Sequence, residues 1–194
     1  MVLGVNPDLT WRDVQHILSN SSTIVDSKNS DWWVNGGGYK HNHNYGFGMI
    51  NPERAVELAK VWKHVPKYTA TAFMSKQKAL IPQIFGKELI LQFTASNSTI
   101  DFIEHIEVHL HIEHERKGQL RIYLINDFGT ISHLSVPHKD NSDFPDKGWT
   151  FGSVRHWGES VNQKWEIRIS DATRDDAVGH LFEAKITFYG HHKN

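Results

Sequence analysis

Apolar positions change their spacing once along this chain. Up to about residue 63 they recur every three or four residues, and from about residue 88 onward they alternate. Ala55, Leu58, Ala59 and Trp62 follow an i, i+3, i+4, i+7 pattern. They are preceded by Asn51 as a capping side chain, Pro52 at the first helical position and Glu53 at the positive helix end, so a short capped helix is predicted there. A second helix is predicted after Thr10, which stands three residues before Asp13 in a capping pattern. Trp11, Val14, Ile17 and Leu18 are expected to share its apolar face. Residues 23–44 are dense in Ser, Asn, Asp and Gly and read as an irregular loop, with Trp32 and Trp33 anchoring it on the helices. The Tyr45-Gly46-Phe47-Gly48 turn needs its glycines for positive φ or for close backbone approach.

Val65-Pro66 marks a boundary, because the residue before proline avoids the helical region. Beyond it, strands are predicted at Glu88–Phe93, Ile103–Ile112, Gln119–Ile125, Ile131–Val136, Trp165–Ile169 and Leu181–Tyr189, separated by turn material. Several antiparallel strands of this kind predict a mainly β fold, a β-sandwich of the jelly-roll type. Within the second strand Ile106, Val108, Leu110 and Ile112 face one way. His105, Glu107, His109, His111 and Glu113 face the other. That polar row reads as the wet face of a strand, with divalent-metal binding and histidine-based pH sensing as the alternatives.

Composition narrows the function classes. The 194 residues include 21 basic and 22 acidic side chains, giving a formal net charge of −1 and no electrostatic case for nucleic acid or anionic lipid as partners. Hydrophobic content of 39%, with seven Trp and ten Phe, suffices for a ring-rich core. The absence of cysteine removes disulfides, thiol nucleophiles and Cys-based zinc sites. No stretch has the length of a membrane span, and the Met1–Val5 start lacks the features of a targeting signal. His41-Asn42-His43 lacks a third ligand at metal-site spacing and reads as a solvated loop. Serine-nucleophile catalysis needs a histidine oriented by a carboxylate, yet neither a Gly-Thr-Ser nor a Gly-x-Ser-x-Gly string occurs. No catalytic, cofactor-binding or metal-binding residue is assigned in this chain.

Three segments carry a resemblance. Tyr45-Gly46-Phe47-Gly48 with the helix after it is similar to the closing segment of subtilisin-like serine protease domains. Together with Asn6-Pro7-Asp8-Leu9-Thr10-Trp11-Arg12-Asp13-Val14-Gln15 and Trp149–Glu159, it resembles the kexin/furin group of proprotein convertases over nearly the whole chain. The resemblance implies that residues 1–65 are the end of a subtilisin-like peptidase domain and that 66–194 form the P, or homo B, domain. The family's aspartate, histidine, oxyanion asparagine and serine, and its calcium ligands, would all lie upstream. The implied parent is a calcium-dependent endopeptidase that cleaves secretory precursors after dibasic sites, in the Golgi or outside the cell. This portion would stabilise and regulate the parent's own catalytic domain, the implied partner, while peptide and protein precursors meet the parent elsewhere.

Trp149, Phe151, His156, Trp157 and Glu159 are the candidate domain-interface residues, with plain sandwich core as the alternative for both tryptophans. Gly152 stands where the family has methionine. Val136-Pro137-His138-Lys139-Asp140 lacks the family's arginine pair. Two sequons, at Asn20 and Asn97, are candidate glycosylation sites, Asn97 being the better placed in a polar turn. The competing reading is a stand-alone jelly-roll module that binds carbohydrate or protein, with Trp32, Trp33 or Trp149 stacking on sugars. A third is a product that does not fold alone, because the helices' apolar faces would lack the sheet that covers them.

Overall fold

The computed structural model describes residues 1–83, 87–173, 175 and 177–193. Three helices form the N-terminal layer: α1 (Val2–Val5), α2 (Trp11–Ser21) and α3 (Pro52–Val61). Thr10 and Asp13 close a reciprocal capping box on α2, and the Asn51 side chain accepts from the Arg54 amide on α3. A small cluster of Leu9, Ile17, Ala55 and Ala59, flanked by Val14, Leu18, Leu58 and Trp62, holds these helices together. The α3 stripe is as its spacing predicts. Trp11 is a correction: it is 61% exposed at the first turn and meets the edge of Tyr68. Arg12, Asp13 and His16 are buried alongside Ile17, so α2 turns a polar face toward the rest of the molecule.

The loop between α2 and α3 carries a two-residue ribbon, β1 (Trp33–Val34) with β2 (Lys40–His41). Eight further strands follow: β3 (Thr69–Ile81), β4 (Leu89–Thr94), β5 (Phe102–Glu113), β6 (Leu120–Asn126), β7 (Ile131–Ser135), β8 (Trp149–Ser153), β9 (Lys164–Asp171) and β10 (Gly179–His191). They form two four-stranded antiparallel sheets with orders β3-β10-β5-β8 and β4-β9-β6-β7, the two-sheet arrangement of a jelly roll. Alternate side chains fill the space between them. Leu91, Ile167 and Leu124 lie abreast in one sheet, and Ile186 and Val108 abreast in the other.

All six predicted strands are present. Two more, β3 and β8, escape the hydrophobic pattern, and both are edges of the same sheet. β3 reads Thr-Ala-Thr-Ala-Phe-Met-Ser-Lys-Gln-Lys-Ala-Leu-Ile, with lysines at the positions that discourage edge-to-edge pairing. An irregularity in the β5–β10 ladder leaves Glu104 without a partner residue between Ile103↔Gly190 and His105↔Tyr189. Ile103 and Glu104 are consecutive and both buried, which strict alternation forbids.

The two glycines of the 45–48 turn differ in what they meet. Gly46 has φ +58 with open space beside it. Gly48 has φ +111, and a Cβ there would lie 2.2 Å from the Thr23 carbonyl oxygen, on backbone that Thr23 and Met49 join by two N–H to carbonyl hydrogen bonds of 2.9 Å. Gly46→Asn is therefore expected to shift stability by less than about 1 kcal/mol, since asparagine tolerates the left-handed region. Gly48→Ala is expected to cost roughly 2–4 kcal/mol through the combined clash and strain. Urea unfolding of the two variants side by side measures the contrast.

Candidate functional site

The richest concentration of charge and polar contact lies where α2 and the α2–α3 loop meet the sandwich. Its centre is Glu104, fully buried on β5. Arg12 of α2 grips it with two prongs: Nε donates to Oε2 at 2.8 Å, and Nη2 to Oε1. Arg12 Nη1 also donates to the Pro66 carbonyl at 2.8 Å, and its guanidinium sits 4.8 Å from the Tyr68 ring centre. His191, at the end of β10, hydrogen-bonds Oε1 through Nδ1 at 2.7 Å, and His16 Nε2 lies 3.5 Å from the same oxygen. Burial alone raises the Glu104 carboxyl, but the contacts from Arg12, His16 and His191 outweigh it and hold the group well below the usual carboxylate range.

His16, Glu104 and His191 are metal-ligating residue types with their ligand atoms within 4.8 Å of one another. The charge they present is already matched. Arg12 occupies both carboxylate oxygens, so a dication would have to rest against a fixed guanidinium. The geometry is that of an ion-pair clamp between helix and sheet. Asp13 extends it: besides capping Thr10, its carboxylate accepts from Trp62 Nε1 at 3.1 Å, His64 Nδ1 at 2.9 Å and the Val65 amide at 2.8 Å. Burial pushes the Asp13 carboxyl up, and these donors more than reverse the effect. One side chain thus ties the start of α2 to the segment that leads out of α3.

A second set of contacts joins the 31–47 loop to the turn after β8. Asn35 donates to the carbonyls of Arg155 and Trp157, both at 2.9 Å. Glu159, 2% exposed, accepts from the Gly36 amide and Thr130 Oγ1 at 2.6 Å, from His156 Nδ1 at 3.0 Å and from Asn126. Burial raises the Glu159 carboxyl and these donors bring it below its ordinary value. Gly37 has to be glycine here, since a Cβ would lie 2.5 Å from the Gly158 carbonyl carbon. Arg155, also buried, reaches Asp31 and the His41 carbonyl. Trp157 fills the gap between the two sets, 3% exposed, with its ring 4.7 Å from His16 and 5.8 Å from Phe47.

Of the five candidate interface residues, Trp157 and Glu159 therefore come together with residues 1–65, while His156 sits behind them, bonded to Glu159 and packed edge-on against Trp165. Trp149 and Phe151 do not: they line a cavity between β7 and β8 with Leu134 and Phe144, and Trp149 is 54% exposed, so it is not core either. The His41-Asn42-His43 stretch corrects the solvated-loop reading. His41 and Asn42 are buried, and His43 is half-buried between the Asp31 carboxylate, 2.8 Å from Nδ1, and the His133 amide, which donates to Nε2 at 3.0 Å. Both ring nitrogens of His43 are thus engaged, and among the described residues no serine hydroxyl hydrogen-bonds to a histidine ring. Trp32 and Trp33 turn their indole N–H groups inward, to the Val25 carbonyl and to Thr130 Oγ1. Sequence reading missed Arg12, His16, Glu104 and His191. The available signal was Glu104 itself, a charge on the parity of Ile106, Val108 and Leu110.

Acid should loosen this junction in a defined window. Burial, and then the Arg155 charge, lower the His41 pKa to about 4, with His43 and His156 adding to the effect and Asp31 opposing it. The folded state keeps His41 neutral while the unfolded chain takes up a proton near pH 6.5, so the contribution is complete above that pH. Stability is expected to fall as pH drops from about 6.5 toward 4, with a His41 share of at most ~1.4 kcal/mol per pH unit. His105 and His133 are shifted in the same direction, chiefly by burial. The carboxyls of Asp13, Glu104 and Glu159 are lowered as well, by their hydrogen-bond and charge partners against the effect of burial, and their contribution is lost only below about pH 4.5, as pH falls through the unfolded carboxylate range. Denaturant unfolding at pH 7.5 and 5.5 should show the decline, and His41→Gln should flatten it.

Comparison with known proteins gives this junction a context. Residues 103–188 match the model of the proprotein convertase P-domain, a span that holds Glu104, His156, Trp157 and Glu159 but neither Arg12 nor His16. The human protein named proprotein convertase subtilisin/kexin type 6 is 36% identical over 98% of this chain and 21% of its own length. Human type 7 is 34% identical over 98% of this chain and 25% of its own length. The chain thus spans about a fifth to a quarter of these relatives. The crystal structure of an Aeromonas sobria serine protease in complex with its chaperone superposes with a TM-score of 0.86 at 19% identity, covering 98% of this chain and 42% of that one. The helices and sandwich therefore share their arrangement with a protease of low sequence identity, and residues 103–188 of this chain form a proprotein convertase P-domain.

Proposed function

We propose that this chain is the junction of a subtilisin/kexin-type convertase, with residues 1–65 as the end of the catalytic domain and 66–194 as the P domain, and that its role is to stabilise and regulate that catalytic domain. The observation that carries the reading is the Arg12–Glu104 clamp. It fixes a helix outside the matched P-domain span to a strand inside it, through a buried pair that tolerates no other register. The opposite side of the helical layer supports the same reading. Met1, Leu3, Met49, Ile50 and Val61 are each more than half exposed, an apolar surface suited to the body of a peptidase domain. Among the described residues no helix is long and apolar enough to cross a membrane.

The parent's reaction, hydrolysis after paired basic residues in secretory precursors, would be performed by residues upstream, where the calcium ligands also belong. A secretory-pathway location follows from the same reading. Asn97 is the glycosylation site we assign: it is exposed in a turn at φ +60. Asn20 lies within α2, and its amide nitrogen donates to the His16 carbonyl at 2.7 Å. The sugar-binding alternative has little support, because Trp32 and Trp33 are tied inward and the surroundings of Trp149 lack carboxylates and amides.

Replacing Glu104 by alanine leaves the Arg12 guanidinium buried and unpaired, a loss of about 3–5 kcal/mol. In a parent convertase carrying this segment, Glu104→Ala is expected to lower the unfolding temperature of the catalytic domain and the yield of active enzyme. Substitution of exposed Lys78 serves as the control. Unchanged catalytic-domain unfolding in Glu104→Ala would sink the junction reading. In the parent secreted from cells, Asn97→Gln is expected to remove a deglycosylation-sensitive mass shift that Asn20→Gln leaves in place.

A further inference from the structure

The cavity between β7 and β8 lies outside the helix–sandwich junction and has its own chemistry. Each strand is the edge of its sheet. Ser132 and Ser153 close the seam at one end, their hydroxyl oxygens 2.7 Å apart. At the other end, where β7 runs into Leu134 and Ser135 and β8 begins at Trp149, the edges leave a cavity of about 440 Å³. That volume is on the scale of small-molecule sites, roughly 300–1,000 Å³.

Alternation along β8 places Trp149 on the same side as Phe151 and Ser153, the half-buried and buried positions, while Thr150 and Gly152 are exposed. Trp149 is nonetheless 54% exposed. A tryptophan on the core parity of an edge strand, left half uncovered beside an apolar cavity, is a surface that a ring-shaped ligand would remove from water. Leu134, Phe144 and Phe151 supply the remaining apolar wall.

We propose that this cavity binds a small, uncharged aromatic molecule bearing a hydroxyl group. The absence of charge follows from the rim. Among the described residues the lining contains one fixed cation, Lys117, whose Nζ is already paired with Asp140 at 3.2 Å, and no carboxylate. The hydroxyl follows from His138. Its Nδ1 is 2.9 Å from the Val136 carbonyl oxygen, which only accepts, so the proton of the neutral ring sits on Nδ1 and Nε2 remains an acceptor. The Ser135 hydroxyl adds a second polar group to the lining. A sugar is excluded, because the lining offers neither the carboxylates nor the amides that hydroxyl-rich ligands require.

The probe is p-cresol, titrated into the 194-residue chain and followed by amide and indole NMR shifts, with p-toluate as the charged counterpart. Saturable shifts at the Trp149 indole and the Ser135 amide are expected. Affinity should fall at least roughly tenfold in Trp149→Ala, a half-exposed site where folding is not at stake, and in the cavity-filling variant Leu134→Trp. Toluate should bind at least roughly tenfold more weakly than cresol. Absence of saturable shifts at these two groups overturns the proposal, as does undiminished binding in Trp149→Ala. Equal binding of toluate and cresol overturns the assignment of a neutral ligand.

Discussion

Everything at the helical end of this molecule depends on one carboxylate placed where alternation would put an isoleucine or valine. Glu104 sits at an irregularity of the β5–β10 ladder with no contact to water. A charge in that position is tolerated only when its partners are fixed and its lone pairs are filled. Arg12 meets both oxygens, and His191 and His16 close around one of them. The helix is therefore held in one place: sliding α2 by a residue along the sheet would strand both charges. An apolar contact of similar area would hold the layers together without fixing their register.

The second junction works by the same logic with neutral and charged groups mixed. Glu159 and Asn35 give backbone amides and carbonyls of facing loops side-chain partners, which lets two irregular segments be buried against each other with those backbone groups paired. Trp157 supplies the apolar filling between these sets. The outer surface of the helices is different in kind. It is apolar and uncovered, as befits an element that rests on one body through polar specificity and on another through burial.

The two ends of the sandwich also differ. At the junction, loops and helices cover the sheets, whereas at the β7–β8 seam the sheets part and leave rings exposed. The loop 136–148 that approaches this seam is pinned to the Lys117–Gln119 turn by bonds between His138, Gly118 and Asp140. It is thus part of the cavity wall, which is a different task from bracing the helices.

Much of this was legible in the residues. The capping side chains of α2 and α3, the α3 stripe, six strands and the alternation of β5 follow from local rules that do not require knowing what lies across the core. The Tyr-Gly-Phe-Gly turn and the Trp149–Glu159 string carried the family resemblance. Tertiary structure decided the rest. β3 became a strand because β10 offers it a hydrogen-bonding edge, not because its own sequence is apolar. Trp11 lost its place in the α2 core because the buried face of that helix is chosen by Glu104, ninety-two residues along the chain from its partner Arg12. His41 and Asn42 went inside because Asp31 and Arg155 satisfy their loop. Trp149 and Trp157, alike in the sequence, parted because one faces a gap between sheet edges and the other faces a helix. Spacing records which side of an element a residue occupies, and only the fold determines what that side meets.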